Sequence, residues 1–262
     1  MVAKFKYMIY SVRSTMSVNI QNFEKAKEKI IGVNRERKTI GVLSEKTVHA
    51  VLKNYYEPDE DHQEIPVEGM VADIYRDGNI IEIQTAHFDK LREKLARFLP
   101  YYDVTVVYPV PACKWLIWVD ELTGECAPKR KSPLKGTPYM IFKELYKIKS
   151  YLRNENLHFK IAMLDIEEYR LLNGWSRNRK KGSTRFDRMP VEFKEEYEIY
   201  RIEDYMQFLP IDLPESFTTA DLAKCAGIPV GLARIAMNII SYVGGVDKKG
   251  KRGNAIVYEI SE

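Results

Sequence analysis

Residues 67–85 read VEGMVADIYRDGNIIEIQT, and this stretch decides the fold. Two runs of largely apolar residues, 67–75 and 80–85, flank the tetrapeptide Arg76-Asp77-Gly78-Asn79. Asp-Gly between such runs signals a β-hairpin, because a type I′ turn needs two positive φ angles in a row. Counting outward from the turn, Arg76 pairs with Asn79, Tyr75 with Ile80, Ile74 with Ile81 and Asp73 with Glu82. Residues opposite each other in this way hold their Cβ atoms about 4.5–5.5 Å apart on one face. Gln84 follows Glu82 by two residues and points to the same face, while Ile81 and Ile83 point to the other, into the core.

The flanking sequence builds a sheet around this hairpin. Upstream, Ser44 is a candidate N-cap, and Val48, Val51, Leu52 and Tyr55 repeat at helical spacing until Pro58 and an acidic run end the helix. Downstream, 88–99 reads as a helix stopped by Pro100, and 104–110 as a strand too apolar to have a solvent face. A second hairpin, 114–120 with 126–130, turns at Leu122-Thr123-Gly124. A helix over 138–151 and a strand over 159–164 follow. Strands alternating with helices in this order predict an α/β core with a mixed sheet. We expect an N-terminal arm over 1–39, with a helix at 22–31, a core domain over 40–199, and a small unit over 200–262.

Two carboxylates facing each other across a strand pair repel, and a cation between them removes the cost. Asp73 and Glu82, with carbonyls and water, make a hard-oxygen site suited to Mg²⁺ or Mn²⁺. The helix acid Glu45, the hairpin acid Asp73 and the pair Glu82-x-Gln84 together resemble the PD-(D/E)xK nuclease core over roughly residues 40–165. The resemblance implies a restriction-endonuclease-like fold. It also implies metal-dependent phosphodiester hydrolysis of DNA, with Glu45, Asp73, Glu82 and Gln84 catalytic and Asp73 and Glu82 on the metal. The chain departs from the family where Gln84 stands in place of lysine; some restriction endonucleases of the class resemble it in using E-x-Q. Lys90 and Lys94, on the next helix, are the cations near enough in sequence to compensate. The same acids also suit the plain solvated face of an amphipathic hairpin. His49, one helical turn beyond Glu45, reads either as a substrate contact or as a structural histidine.

Basic residues concentrate in three places, one of them Lys129-Arg130-Lys131 with Lys135 at the end of the second hairpin. The stretch 174–188 holds Arg177, Arg179, Lys180, Lys181, Arg185 and Arg188 between Trp175 and Phe186, a pattern suited to phosphates and stacked bases. Residues 200–262 read as a winged helix: helices at 202–209, from 217 and over 230–243, then a hairpin with Lys248, Lys249, Lys251 and Arg252 at its tip. In the DNA-binding mode, Arg234 and Asn238 on the third helix face the groove and the wing meets the backbone. The net charge of +4 permits such a partner without requiring it. Two rival expectations remain at this stage: a noncatalytic DNA-binding scaffold, and a winged-helix module that docks a protein. Three cysteines without metal-ligand spacing, no apolar stretch of membrane length and no signal-like N-terminus predict a cytoplasmic protein away from membranes.

Overall fold

The computed structural model describes residues 15–16, 18–32, 47–120, 122–172 and 184–261. In chain order the core holds β1 (Thr15–Met16), α1 (Ile20–Lys27), α2 (Thr47–Tyr56), β2 (Gln63–Val67), β3 (Met70–Arg76), β4 (Asn79–Ile83) and α3 (Arg92–Phe98). Then come β5 (Asp103–Val119), β6 (Arg130–Lys131), α4 (Ile141–Leu145), β7 (Leu157–Leu171) and β8 (Thr184–Ile199). They form one mixed sheet in the order β1-β8-β7-β5-β4-β3-β2, with β6 paired to β5.

The hairpin has the register its turn dictates: Arg76 pairs with Asn79, Tyr75 with Ile80 and Ile74 with Ile81. Asp77 and Gly78 take φ of 49° and 81°, as a type I′ turn requires. β2, which the sequence reading passed over, extends the hairpin to a three-stranded meander. Its Pro66 is tolerated because β2 is an edge strand. β4 runs parallel to β5, and β5 parallel to β7, through crossovers that contain α3 and α4. β8 returns antiparallel to β7.

Helices cover both faces of the sheet. On one, Leu95 and Phe98 of α3 and Phe142 of α4 pack over Ile80, Val106 and Phe159. On the other, Phe23 of α1 and Val51 and Leu52 of α2 pack over Ile83, Val107 and Leu164. Each fully buried side chain of this size contributes about 1.5–3 kcal/mol. Double coverage explains the absence of apolar-polar alternation in 104–110. It also corrects the picture of a hairpin with one wet face, since Glu82 is 2% exposed.

Other boundaries differ from expectation for related reasons. The strands expected at 104–110 and 114–120 are one, β5, which passes a bulge between Pro111 and Cys113. Gly136 packs against this bend, where an added Cβ would sit 2.3 Å from the Pro111 carbonyl oxygen. β7 runs well past 164, because β8 pairs along its whole length. The basic stretch therefore becomes strand from Thr184 onward. Glu45, Arg177, Arg179, Lys180 and Lys181 lie outside the described residues. The helix expected at 138–151 is α4 framed by 3-10 turns, Pro138–Met140 and Tyr146–Tyr151.

The C-terminal region contains a 3-10 helix (Ile202–Phe208), β9 (Phe217–Thr218), α5 (Thr219–Cys225), α6 (Val230–Val243), β10 (Val246–Arg252) and β11 (Ala255–Ile260). Thr218 and Asp221 form a reciprocal capping box at the start of α5. The axis bends by 114° between α5 and α6. Gly244 ends α6 in the left-handed conformation, with φ of 97°. The three short strands pair in the order β10-β11-β9. The hydrophobic core of this region is continuous with that of the sheet: Ala233, Met237 and Ile240 of α6 belong to the cluster that holds Phe142 and Phe208. Among the described residues, no single helix is long and apolar enough to cross a membrane.

Candidate active site: two carboxylates and a lysine at the end of β4

Beyond Ile74 the β3–β4 ladder gives way to side chains. Asp73 Oδ2 accepts the Ile83 amide at 2.8 Å, and the Glu82 carboxylate accepts the Asp73 amide. Each acid is thus fixed by the other's strand. Asp73 Oδ2 also lies 3.1 Å from His49 Nε2 on α2. Glu82 takes the opposite helix layer: Lys94 Nζ on α3 donates to its two oxygens at 2.8 and 2.6 Å. The side-chain Nε2 of Gln84 donates to the Ala86 carbonyl, and its backbone N–H to that of Val107. Lys94, rather than Lys90, is the cation at the pair, and only its three-dimensional position distinguishes the two. His49 is held by Asp73 in this cluster.

The two acids are electrostatically unlike. Burial alone would raise the Asp73 carboxyl; the hydrogen bond and charge of His49, the Ile83 amide and the charge of Lys94 outweigh it and hold Asp73 below its ordinary range. Burial, reinforced by the negative charge of Asp73, pushes Glu82 up to about 7 despite Lys94. Lys94 and His49 stand against the two carboxylates, and a bound cation would further stabilise their charged forms. Two carboxylates are hard oxygen donors of the kind that suits Mg²⁺ or Mn²⁺. Among the described residues, no three Asp, Glu, His or Cys side chains converge as a metal-sized group. Asp73 and Glu82 fit as two ligands, and water or further donors complete such a shell.

A second centre, which the sequence reading missed, lies farther along β7. Glu168 is 0% exposed. It accepts from Arg170 Nε at 2.7 Å and from Arg188 Nε at 3.0 Å, and Lys114 Nζ is 3.5 Å away. Burial opposes ionisation here too, but Arg170, Arg188 and Lys114 overcome it and bring Glu168 down to about 2. The spacing from Glu168 to Arg170 was visible in the sequence; the approach of β8 was not. Arg185 stands exposed near this group, on β8.

The remaining expected nucleic-acid contacts are spread over the C-terminal region. Arg234 and Asn238 are exposed on α6, and Asn238 Oδ1 accepts from Lys149 Nζ at 2.8 Å. Lys248, Lys249, Lys251 and Arg252 are exposed along β10. The hairpin turns at Gly253 and Asn254, so these cations run along a strand rather than clustering at a tip.

Residues 46–200 match the model of a family described as a domain of unknown function, DUF8091. The chain is also 31% identical over 221 residues to an "Uncharacterized protein" of Treponema pallidum (strain Nichols), covering 84% of this chain and 87% of the relative. No solved structure matches it. The family match spans the sheet, the carboxylate pair and the Glu168 centre, and the chain belongs to this family.

Proposed function

We propose that this member of the DUF8091 family is a Mg²⁺- or Mn²⁺-dependent nuclease acting on DNA in the cytoplasm. The observation that carries the reading is the Asp73–Glu82 pair on adjacent strands, Glu82 buried and held by Lys94, Asp73 half-buried and held by His49. Its setting supports a restriction-endonuclease-like core: α2, the hairpin, α3 and the apolar strand β5 follow in the order on which the PD-(D/E)xK resemblance rests. Asp73 and Glu82 would hold the metal, with Glu45 assisting through a water. When bound, such an ion would supply Lewis acidity toward water and phosphate. Lys94 supplies the positive charge that Gln84 lacks. Gln84, with its nitrogen on Ala86, offers its carbonyl oxygen to orient the attacking water. His49 fixes the Asp73 carboxylate.

The 114° bend between α5 and α6 and the hairpin after it support a winged-helix reading of the C-terminal region. Its basic strand β10 would lie along the DNA backbone, and Arg234 and Asn238 would face the groove. Docking of α6 on α4 favours a fixed arrangement of this region against the nuclease core.

The experiment is cleavage of single-stranded, duplex and branched DNA with Mn²⁺, beside Asp73→Ala. Metal-dependent cleavage lost in the variant, with unchanged melting, is the expected result. Cleavage retained by Asp73→Ala would sink the assignment. Gln84 in the lysine position favours one alternative, a DNA-binding scaffold without catalysis. Calorimetry separates the two, since the nuclease binds Mn²⁺ through Asp73 and an inactive scaffold need not.

A further inference from the structure

A cavity of about 360 Å³ opens between the start of α2 and β8. Val48, Pro109, Pro111 and Ile166 give it an apolar floor, and Arg185, Phe186 and Arg188 form one wall. Val48 and Thr85, both in its lining, are chain neighbours of His49 and Gln84.

The charges of the wall do not balance. Asp187 is spent on α2: its carboxylate accepts the Thr47 amide at 3.4 Å and the Thr47 hydroxyl, and the Arg188 amide at 2.7 Å. Glu168 faces Lys114, Arg170 and Arg188. Arg185 has no ion-pair partner among the described residues. Partial burial first, then the like charge of Arg188, lowers its pKa from the ordinary arginine value, though the guanidinium stays charged. A cation in that position is stabilised by an incoming anion, and guanidinium groups suit phosphate oxygens. Phe186, 44% exposed, offers a ring beside the apolar floor. The ligand that satisfies both features carries an anion and a flat apolar group together.

We propose that this cavity takes one unstacked nucleotide, its phosphate on Arg185 and its base against Phe186 and the prolines. The inference rests on the nucleic-acid reading of the neighbouring site and names its substrate class as single-stranded or frayed DNA. A paired base would first have to leave the stack to enter, which disfavours intact duplex.

The test is fluorescence anisotropy in EDTA with a labelled oligo(dT) single strand and a labelled duplex hairpin. The proteins are wild type, Arg185→Gln and Phe186→Ala, each checked for unchanged melting. Tighter binding of oligo(dT) than of duplex is expected. Phe186→Ala and Arg185→Gln should each weaken oligo(dT) by about tenfold and leave duplex binding unchanged. Equal affinity for single strand and duplex, or undiminished oligo(dT) binding by both cavity variants, overturns the inference. Competition supplies a second arm: thymidine 5′-monophosphate should displace the strand where inorganic phosphate at the same concentration does not. Equal displacement by both would overturn the base-binding part. If no metal-dependent cleavage is found while the cavity variants still lose oligo(dT), the nuclease reading fails and the nucleotide site stands.

Discussion

Glu82 and Glu168 are both buried carboxylates on central strands, yet their surroundings drive them in opposite directions. Glu82 shares one lysine with a second acid and rises to about 7. Glu168 is met by Arg170, Arg188 and Lys114 and falls to about 2. A closed ion cluster of the second kind ties strands together. The first kind leaves Glu82 poorly ionised near neutral pH, which costs stability and marks a candidate functional site.

Removing the closed centre should have the largest effect. Glu168→Gln leaves Arg170, Arg188 and Lys114 around a neutral group, and breaking such a buried arrangement costs about 3–5 kcal/mol. For a chain of this size that lowers Tm by about ten degrees. The sign with pH follows from the depressed pKa. The Glu168 contribution is complete above the ordinary glutamate value of 4.5 and fades as pH falls toward 2. Wild type and variant should therefore melt apart at neutral pH and converge in acid. A difference in Tm that does not shrink between pH 4.5 and 2 would show that the cluster is not what Glu168 contributes.

The open centre is broken through its lysine. Lys94→Ala should lower metal-dependent cleavage by about a hundredfold, a typical share for a charge acting on the transition state. Gln84→Lys in that background should recover at least a tenfold part of it by returning the cation to the motif position. Undiminished cleavage by Lys94→Ala would reduce the lysine to a structural partner of Glu82.

What the sequence revealed of these centres depends on range. The turn Asp77-Gly78 and the pairing of β3 with β4 are local, and register follows from two residues. The juxtaposition of Asp73 and Glu82 was legible for that reason. The partners that decide their charge were not. Lys94 reaches Glu82 only through the packing of α3, and His49 reaches Asp73 only through α2. The Glu168 cluster requires β8, and the charged stretch that ends in Arg188 hid this strand. In β8 acidic and basic residues alternate with Phe193 and Tyr197 along β7, so polarity alone reads as loop. Gly136 is legible only once β5 bends beside it, since its lack of a side chain matters for contact with the Pro111 carbonyl and not for its own turn.

The smallest effect sharpens the comparison most, because its sign is opposite. Glu82 is raised above 4.5, so between 4.5 and about 7 the folded chain binds a proton that the unfolded chain has released. Stability therefore falls as pH rises through that window, the reverse of the Glu168 limb. Glu82→Gln removes the ionisation while keeping the shape. At pH 8 in EDTA it should raise Tm by a few degrees, corresponding to a gain on the order of 1 kcal/mol. Below pH 4.5 the two proteins should melt together. Mn²⁺ should reverse the order at pH 8, since it stabilises only the protein that retains both carboxylates. A Glu82→Gln variant less stable than wild type at pH 8 in EDTA would mean that Lys94 fully compensates the pair. Glu82 would then be a second closed centre like Glu168, and the contrast on which the metal assignment rests would be gone.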